Sequence, residues 1–200
     1  MTLYLARHGQ TDWNLEPARC QGWAEVDLNA AGREQARERG LALAGHGIRL
    51  VLTSHLRRAV ETAEIMRDVL QAADGHELPL VVDPRLAEAH RGDWETRLFG
   101  DIMQEEPVGW RAYREHPATF RFPGGESLRD LQRRVLAALR DAALDDRTAL
   151  LVTHGGSIRV ARCFLRGEGL DAFHRAAAQN GAVDEVPADG IVQRIEAFLS

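Results

Sequence analysis

The sequence predicts an α/β fold: a three-layer α/β/α sandwich with a mostly parallel central sheet and an inserted helical cap. Three features of the chain carry that expectation. Short β-rich runs at residues 3–5, 50–53, 80–83 and 149–153 have the near-continuous apolar character of strands covered on both faces. Amphipathic stripes separate them: Leu56, Ala59, Val60, Ala63, Met66 and Leu70 recur at helical spacing, as do Leu128, Leu131, Val135, Leu139 and Ala142. The alternation of the two patterns is that of right-handed crossover units on one sheet, where ligands gather at the carboxyl ends of the strands.

The individual elements carry local signals. Ser127 precedes the second stripe with Asp130 three residues on, a form of the capping box, and Asn29 is placed to cap an earlier helix through Ala44. Residues 155–166 read as a further helix. Asp189-Gly190 between residues 183–186 and 191–195 reads as a hairpin turn, with Pro187 limiting the first of those strands to an edge. Residues 88–125 carry Trp94, Trp110, Tyr113, Phe120, Phe122 and three prolines without a clear period. They are expected to form a cap inserted into a single domain spanning 1–200.

Composition narrows the function. At 200 residues, 44% hydrophobic and 28% charged, the chain has the makings of one packed domain and not of a disordered segment. A formal net charge of −5 argues against a nucleic-acid partner. All 25 basic residues are arginine, which removes a P-loop lysine or a Schiff-base lysine from consideration. Cys20 and Cys163 share no metal-ligand or CxxC spacing and are expected to be structural or free thiols in a reducing cytoplasm. Residues 1–6 are too short for a signal peptide and end at Arg7, and no later run spans a membrane, so a soluble cytoplasmic protein is expected.

Two strand ends carry the chemistry. The first run closes on Arg7-His8-Gly9 and continues Gln10-Thr11-Asp12-Trp13-Asn14; the run at 149–153 closes on His154-Gly155-Gly156-Ser157. A glycine after each histidine lets the backbone turn and a ligand approach, and Arg7 can grip an oxyanion with two parallel hydrogen bonds. The helix that follows His154 offers the free N–H groups of its first turn to an anion.

RHGQTDWN resembles the opening motif of the histidine phosphatase superfamily, also called phosphoglycerate mutase-like, and the resemblance runs on in order through the chain. Gln21-Gly22 with Asp27-Leu28 resembles its substrate loop. Ser54, Leu56, Arg58, Ala59, Thr62 and Ala63 resemble its second arginine motif. Leu86, Glu88, Gly92 and Trp94-Glu95 resemble its acid motif, Pro123 to Ser127 (PGGES) recurs in its phosphatase branch, and His154-Gly155-Gly156 resembles its second histidine motif. The resemblance implies His8 as nucleophile, with Arg7, Arg58 and His154 around the transferring phosphoryl group and Glu88 as acid and base. It further implies that Asn14, Gln21, Gly22 and Gly155 bind phosphate or line the rim. No metal and no cofactor is implied; the partner is a small phosphorylated substrate.

This chain departs from the mutase branch, which carries an arginine, histidine and tyrosine run after the acid and then a lysine and paired arginines. Here Ala89-His90-Arg91 follows Glu88, there is no lysine, and Arg111 and Arg114 are dispersed. Hydrolysis is therefore expected, with a cofactor-dependent phosphoglycerate mutase as the alternative and a non-catalytic phosphate-binding module as the alternative of another class. A metallohydrolase ligated by His8, His154 and Glu88 is disfavoured, because two arginines in the same pocket repel a divalent cation. His46, His55, His76, His116 and His174 are expected at the surface, His90, close to Glu88 in sequence, is open between the surface and a substrate contact, and Trp13 and Trp94 are expected in the core. Asp12 and Glu95 are expected to be structural, and Arg57 a solvated helix residue. Thr96 stands where the family often has glycine. The aromatic cap suggests apolar walls beyond the phosphate.

Overall fold

A computed structural model describes residues 1–200 as five strands, β1 (Thr2–Arg7), β2 (Leu50–Thr53), β3 (Leu80–Val82), β4 (Ala149–Thr153) and β5 (Val183–Pro187). Seven helices accompany them: α1 (Ala30–Ala42), α2 (Arg57–Asp74), α3 (Phe99–Glu105), α4 (Pro107–Glu115), α5 (Leu128–Leu144), α6 (Gly155–Leu165) and α7 (Ile191–Leu199). The strands form one sheet in the order β3-β2-β4-β1-β5, in which only β5 is antiparallel. Asn29 caps α1 by accepting from Gly32 N–H, and Ser127 and Asp130 close a reciprocal capping box on α5.

Side chains alternate along the inner strands and so build two cores, one on each face. Leu3, Leu5, Leu50, Ala149 and Leu151 join the larger core, with Leu131, Val135 and Leu139 of α5, Val160 of α6 and Ile195 of α7. Tyr4, Ala6, Val51, Leu150 and Val152 join the smaller one, with Ala36 of α1 and Ala59, Ala63, Met66 and Leu70 of α2. Each fully buried Leu or Ile stabilises the fold by roughly 1.5–3 kcal/mol. This is the expected three-layer α/β/α architecture. No helix is long and apolar enough to cross a membrane, and Cys20 and Cys163 are free and buried.

Two expectations about the strands are corrected. Residues 191–195 are not the second strand of a hairpin but the start of α7. Gly190 takes a left-handed conformation (φ 71°) that separates β5 from the helix, and Ile191 and Ile195, four residues apart, are both buried in the larger core. A strand would place Gln193 on the same face as Ile191 and Ile195, but Gln193 is exposed, so the burial pattern is that of a helix and the Asp-Gly pair marks its start instead of a hairpin turn. β5, with Pro187 at its end, is indeed an edge strand, paired to β1 alone. Residues 80–83 do not form a strand covered on both faces: β3 stops at Val82, lies at the opposite edge, and leaves Val81 and Val82 each 48% exposed.

Between β3 and α5 the chain adds no strand. Trp94 is fully buried there, with the rings of Trp110, Tyr113, Phe120 and Phe122 all within 6.1 Å of its own. Its Nε1–H donates to Glu106 Oε2 at 2.8 Å. These aromatic side chains are continuous with the larger core. Trp13 is half-buried and outside both cores.

Thr96 has φ 70°, in the left-handed region that a β-branched residue adopts only at a cost. The conformation is held by Thr96 N–H donating to the Cys20 carbonyl and by Arg19 donating to the Thr96 carbonyl. Thr96→Gly is therefore expected to raise stability by about 1 kcal/mol in urea unfolding, relief of strain exceeding glycine's extra unfolded-state entropy. An unchanged or lower midpoint would show that the position is not strained.

Candidate active site

Arg7 lies opposite Thr153 in the β1–β4 ladder, and Thr53 lies opposite Val152 in the β2–β4 ladder. His8, His154 and Ser54 therefore leave three neighbouring strands at one edge. His8 N–H still donates to the Thr153 carbonyl and Ser54 N–H to the Val152 carbonyl. The rings of His8 and His154 sit 5.1 Å apart.

The hydrogen bonds of each imidazole determine which nitrogen is free. His8 Nδ1 lies 2.7 Å from the Gly9 carbonyl, which can only accept, so Nδ1 carries the proton and Nε2 keeps its lone pair. His154 Nε2 lies 2.8 Å from the Ser54 hydroxyl, which itself accepts from Leu56 N–H, while His154 Nδ1 is buried without a partner. Both imidazoles are held well below the ordinary histidine value. Burial is the main cause for each, followed by the positive charges of Arg58 and Arg7 at His8, and by Arg58 and His8 at His154.

Arg7 and Arg58 are anchored through their terminal nitrogens. Arg7 Nη1 donates to the Ala178 carbonyl at 2.6 Å; Arg58 donates to the carbonyls of Ala24 at 2.9 Å and Gly22 at 2.7 Å. In both, Nε–H is buried with no partner, and burial brings each guanidinium down to about 10, still cationic at neutral pH. Glu88 faces them. Its oxygens accept from Ala89 N–H at 2.8 Å and Gly156 N–H at 3.0 Å. Burial pushes its pKa up, but Arg91, these two N–H groups and Arg58 together leave it below the usual carboxylate value. Gly156 permits this approach, since a Cβ there would stand 2.1 Å from Glu88 Oε1.

These side chains border one cavity of about 270 Å³. Of the residues singled out from sequence, Arg7, His8, Asn14, Gln21, Gly22, Arg58, Glu88 and Gly155 line it, and His154 lies behind His8 without lining it. Asn14 Oδ1 is engaged by Thr11 and Asn180, which leaves its amide NH₂ available. Gln21 Nε2 donates to Thr11 Oγ1, and its Oε1 is buried and unpartnered.

Of the remaining lining, only the cap aromatics Trp110 and Tyr113 were expected near the site from sequence. This lining includes Arg91, Arg114, Arg159, Tyr113 and His174, with Phe99 and Trp110. Arg159 was detectable in principle, being four residues after Gly155 on the same face of α6. The expectation of apolar walls is corrected: the cap contributes three apolar lining residues, and the same wall is largely cationic. His174 is not at the surface but in this wall, where its Nε2–H donates to the Tyr113 carbonyl at 2.8 Å. His90 does not line the cavity; its ring packs on Trp23, 4.9 Å away. His55 is likewise half-buried against Trp23, and His76 half-buried with Nε2 3.1 Å from the Ile48 carbonyl, while His46 and His116 are exposed.

Several other polar residues shape the loops. Arg134 donates to the carbonyls of Arg85, Ala87 and Glu88 and pairs with Glu126, which also accepts from His90 N–H. The glutamate of PGGES thus braces the backbone that carries Glu88. Glu95 accepts from Trp23 and Arg91 N–H, joining the Gln21–Gly22 loop to the same segment. Arg57 is exposed and paired with Asp27, and Asp12 accepts from Asn29.

The sequence profile of the histidine phosphatase superfamily (branch 1) matches residues 3–198. The chain belongs to that superfamily. It is 37% identical over 189 residues to the "Probable phosphoglycerate mutase GpmB" of Enterobacter sp. (strain 638), covering 93% of this chain and 84% of that protein. It is 29% identical over 182 residues to "Phosphoserine phosphatase 1" of Hydrogenobacter thermophilus, covering 90% and 83%. The solved structure of Bacillus stearothermophilus YhfR superposes with a TM-score of 0.86 at 33% identity, covering 94% of this chain and 92% of that one. Superfamily membership supports an enzyme that hydrolyses phosphate esters.

The depressed histidines carry a stability consequence. Unfolded imidazole titrates near pH 6.5, about where the folded protein still excludes the proton, so stability is full above that pH and falls as pH drops below it. In urea unfolding between pH 7.5 and 5.5 without phosphate, wild type should lose stability on acidification. His154→Gln should show a shallower slope, by up to about 1.4 kcal/mol per pH unit. Equal slopes would contradict a buried neutral His154.

Proposed function

We propose that this protein is a metal-independent phosphomonoesterase that hydrolyses a small phosphorylated metabolite through a phosphohistidine on His8. The observation that carries the reading is the free Nε2 of a neutral His8, beside two anchored arginines whose Nε–H groups have no internal partner. His8 Nε2 attacks phosphorus in line, the N–P bond forms as the ester P–O bond breaks, and the leaving oxygen takes a proton from Glu88. Glu88, now a carboxylate, takes a proton from water; the hydroxide attacks phosphorus, the N–P bond breaks, and inorganic phosphate departs. Arg7, Arg58 and the Asn14 amide donate to the phosphoryl oxygens, which is where charge stabilisation acts in phosphoryl transfer, and His154 supports the group from behind, its ring 5.1 Å from that of His8. Gln21, Gly22 and Gly155 line the rim. We take the chain as one domain over 1–200 whose segment 88–125 caps this site, working in the cytoplasm without a cofactor.

The arrangement favours catalysis without a metal. Glu88 has both oxygens on backbone N–H groups, His8 has one nitrogen on a carbonyl, and the surrounding arginines oppose a divalent cation. Glu88 is ionised in the free enzyme, so the bound phosphate dianion must raise its pKa before it can act as acid. The pH optimum then falls in the acidic to neutral range; an optimum above about pH 9 would count against Glu88 as the acid.

The purified protein in chelator, given p-nitrophenyl phosphate and a panel of phosphorylated metabolites, should release phosphate, and His8→Ala should lose at least about 10³-fold of that activity. Isomerisation of 3-phosphoglycerate without release would establish the mutase instead, and phosphate binding without turnover a binding module. Glu88→Gln should lower kcat/KM roughly 10²–10⁴-fold for an alkyl phosphate. It should do so far less for p-nitrophenyl phosphate, whose leaving group needs no proton. Equal losses on both would exclude Glu88 as the acid.

A further inference from the structure

Glu88 stands outside any helix or strand, in the stretch between β3 and α3, and side chains from elsewhere in the fold set its place. No backbone N–H donates to the carbonyls of Ala87 or Glu88. Four side chains hold the run instead. Thr153 Oγ1–H donates to the Leu86 carbonyl at 2.5 Å, Ser157 Oγ–H to the Ala87 carbonyl at 2.8 Å, and Trp23 Nε1–H to the Glu88 carbonyl at 2.7 Å. The fourth, Arg134 of α5, makes the most contacts. Its Nη1 donates to the Arg85 carbonyl at 2.8 Å and the Ala87 carbonyl at 2.7 Å, and its Nη2 to the Glu88 carbonyl at 2.7 Å. The two remaining N–H groups go to Glu126, Nη2 to Oε1 at 2.6 Å and Nε to Oε2 at 3.1 Å. All five donors of this guanidinium are committed, whereas Arg7 and Arg58 each keep an Nε–H without a protein partner. Arg134 does not line the cavity, so its effect on a ligand must pass through the backbone it holds.

We infer that Arg134 is a positioning residue for Glu88: by binding the carbonyls of Arg85, Ala87 and Glu88 it fixes the backbone from which the carboxyl group reaches the cavity. The consequence for catalysis rests on the phosphatase reading of the His8 site. Glu88 accepts from Gly156 N–H in the first turn of α6, a contact that lasts only while its own backbone is held at that distance. A general acid acts only within hydrogen-bond reach of the leaving oxygen, and a misplacement of about 1 Å costs on the order of 10²-fold. Lysine cannot fill the position, since three donors on one nitrogen do not span three carbonyls and a carboxylate in one plane. Glu126 balances the charge of Arg134 and, accepting from His90 N–H as well, ties the guanidinium to the chain beyond Glu88. The contribution of Arg134 is therefore one of geometry.

Arg134→Lys keeps the charge and breaks the fork. Its kcat/KM for an alkyl phosphate, which reports transfer to His8, should fall about 10²-fold, against less than about 3-fold for p-nitrophenyl phosphate, with inhibition by inorganic phosphate unchanged. In a Glu88→Gln background the same substitution should cost the alkyl phosphate nothing further. Equal losses on both esters, an undiminished loss in Glu88→Gln, or no loss at all would overturn the inference. If Arg134→Lys does not fold, Glu126→Gln, which sets an amide NH₂ against Arg134 Nε–H, should show the same dependence on the ester at roughly 10-fold. No such dependence there overturns the inference too. Absence of hydrolysis of either ester by wild type would overturn the phosphatase reading alone. The positioning is then read by NMR: the Gly156 amide resonance should follow the ionisation of Glu88 with pH in wild type and lose most of that movement in the variant. Unchanged movement would overturn the role of Arg134 whether or not the esters are turned over.

Discussion

The parallel register of β1 on β4, with Arg7 opposite Thr153, is the constraint on which the site depends. Side chains alternate faces along a strand, so a slip of one residue would exchange the two cores and carry His8 away from His154. The register is fixed by burial. Leu3, Leu5, Ala149 and Leu151 must enter the larger core while Tyr4, Ala6, Leu150 and Val152 enter the smaller one. The β1–β4 ladder ends at Thr153 and the β2–β4 ladder one residue earlier at Val152, and the residues that follow the three strands are His8, His154 and Ser54.

Placing cations at that edge has a cost that the backbone partly offsets. Arg7 and Arg58 give terminal nitrogens to the carbonyls of Ala178, Gly22 and Ala24, which fixes the guanidinium planes and leaves each Nε–H buried without a protein partner. Glu88 does not neutralise them through a direct ion pair, because its oxygens are committed to backbone N–H groups. The result is a pre-organised, positively charged pocket in which an arriving anion replaces water without requiring the donors to move. The loop that supplies the Gly22 and Ala24 carbonyls is joined to the segment that carries Glu88, through Trp23 Nε1–H donating to the Glu88 carbonyl and through Glu95.

Much of this was legible in sequence because it depends on local pattern. Helical stripes located α2 and α5, Ser127 and Asn29 marked helix starts, and the motifs named about half of the cavity lining. What stayed hidden depends on tertiary position. Gly190 as a left-handed link before α7 is indistinguishable from a hairpin glycine until Ile191 and Ile195 find a core. The exposure of β3 follows from its place at the sheet edge, which no property of residues 80–83 reveals. Arg91, Arg159 and His174 converge from three separate segments, and in a chain whose basic residues are all arginine their individual sequence signal is weak.

The most direct measurement is rapid-quench mass spectrometry of the enzyme during turnover of a phosphate ester, with the protein kept at alkaline pH to preserve phosphohistidine. The account predicts an acid-labile phosphoryl adduct on the peptide containing His8, formed and lost at rates consistent with turnover. Steady hydrolysis with no adduct on that peptide, or an adduct on another residue, would contradict it.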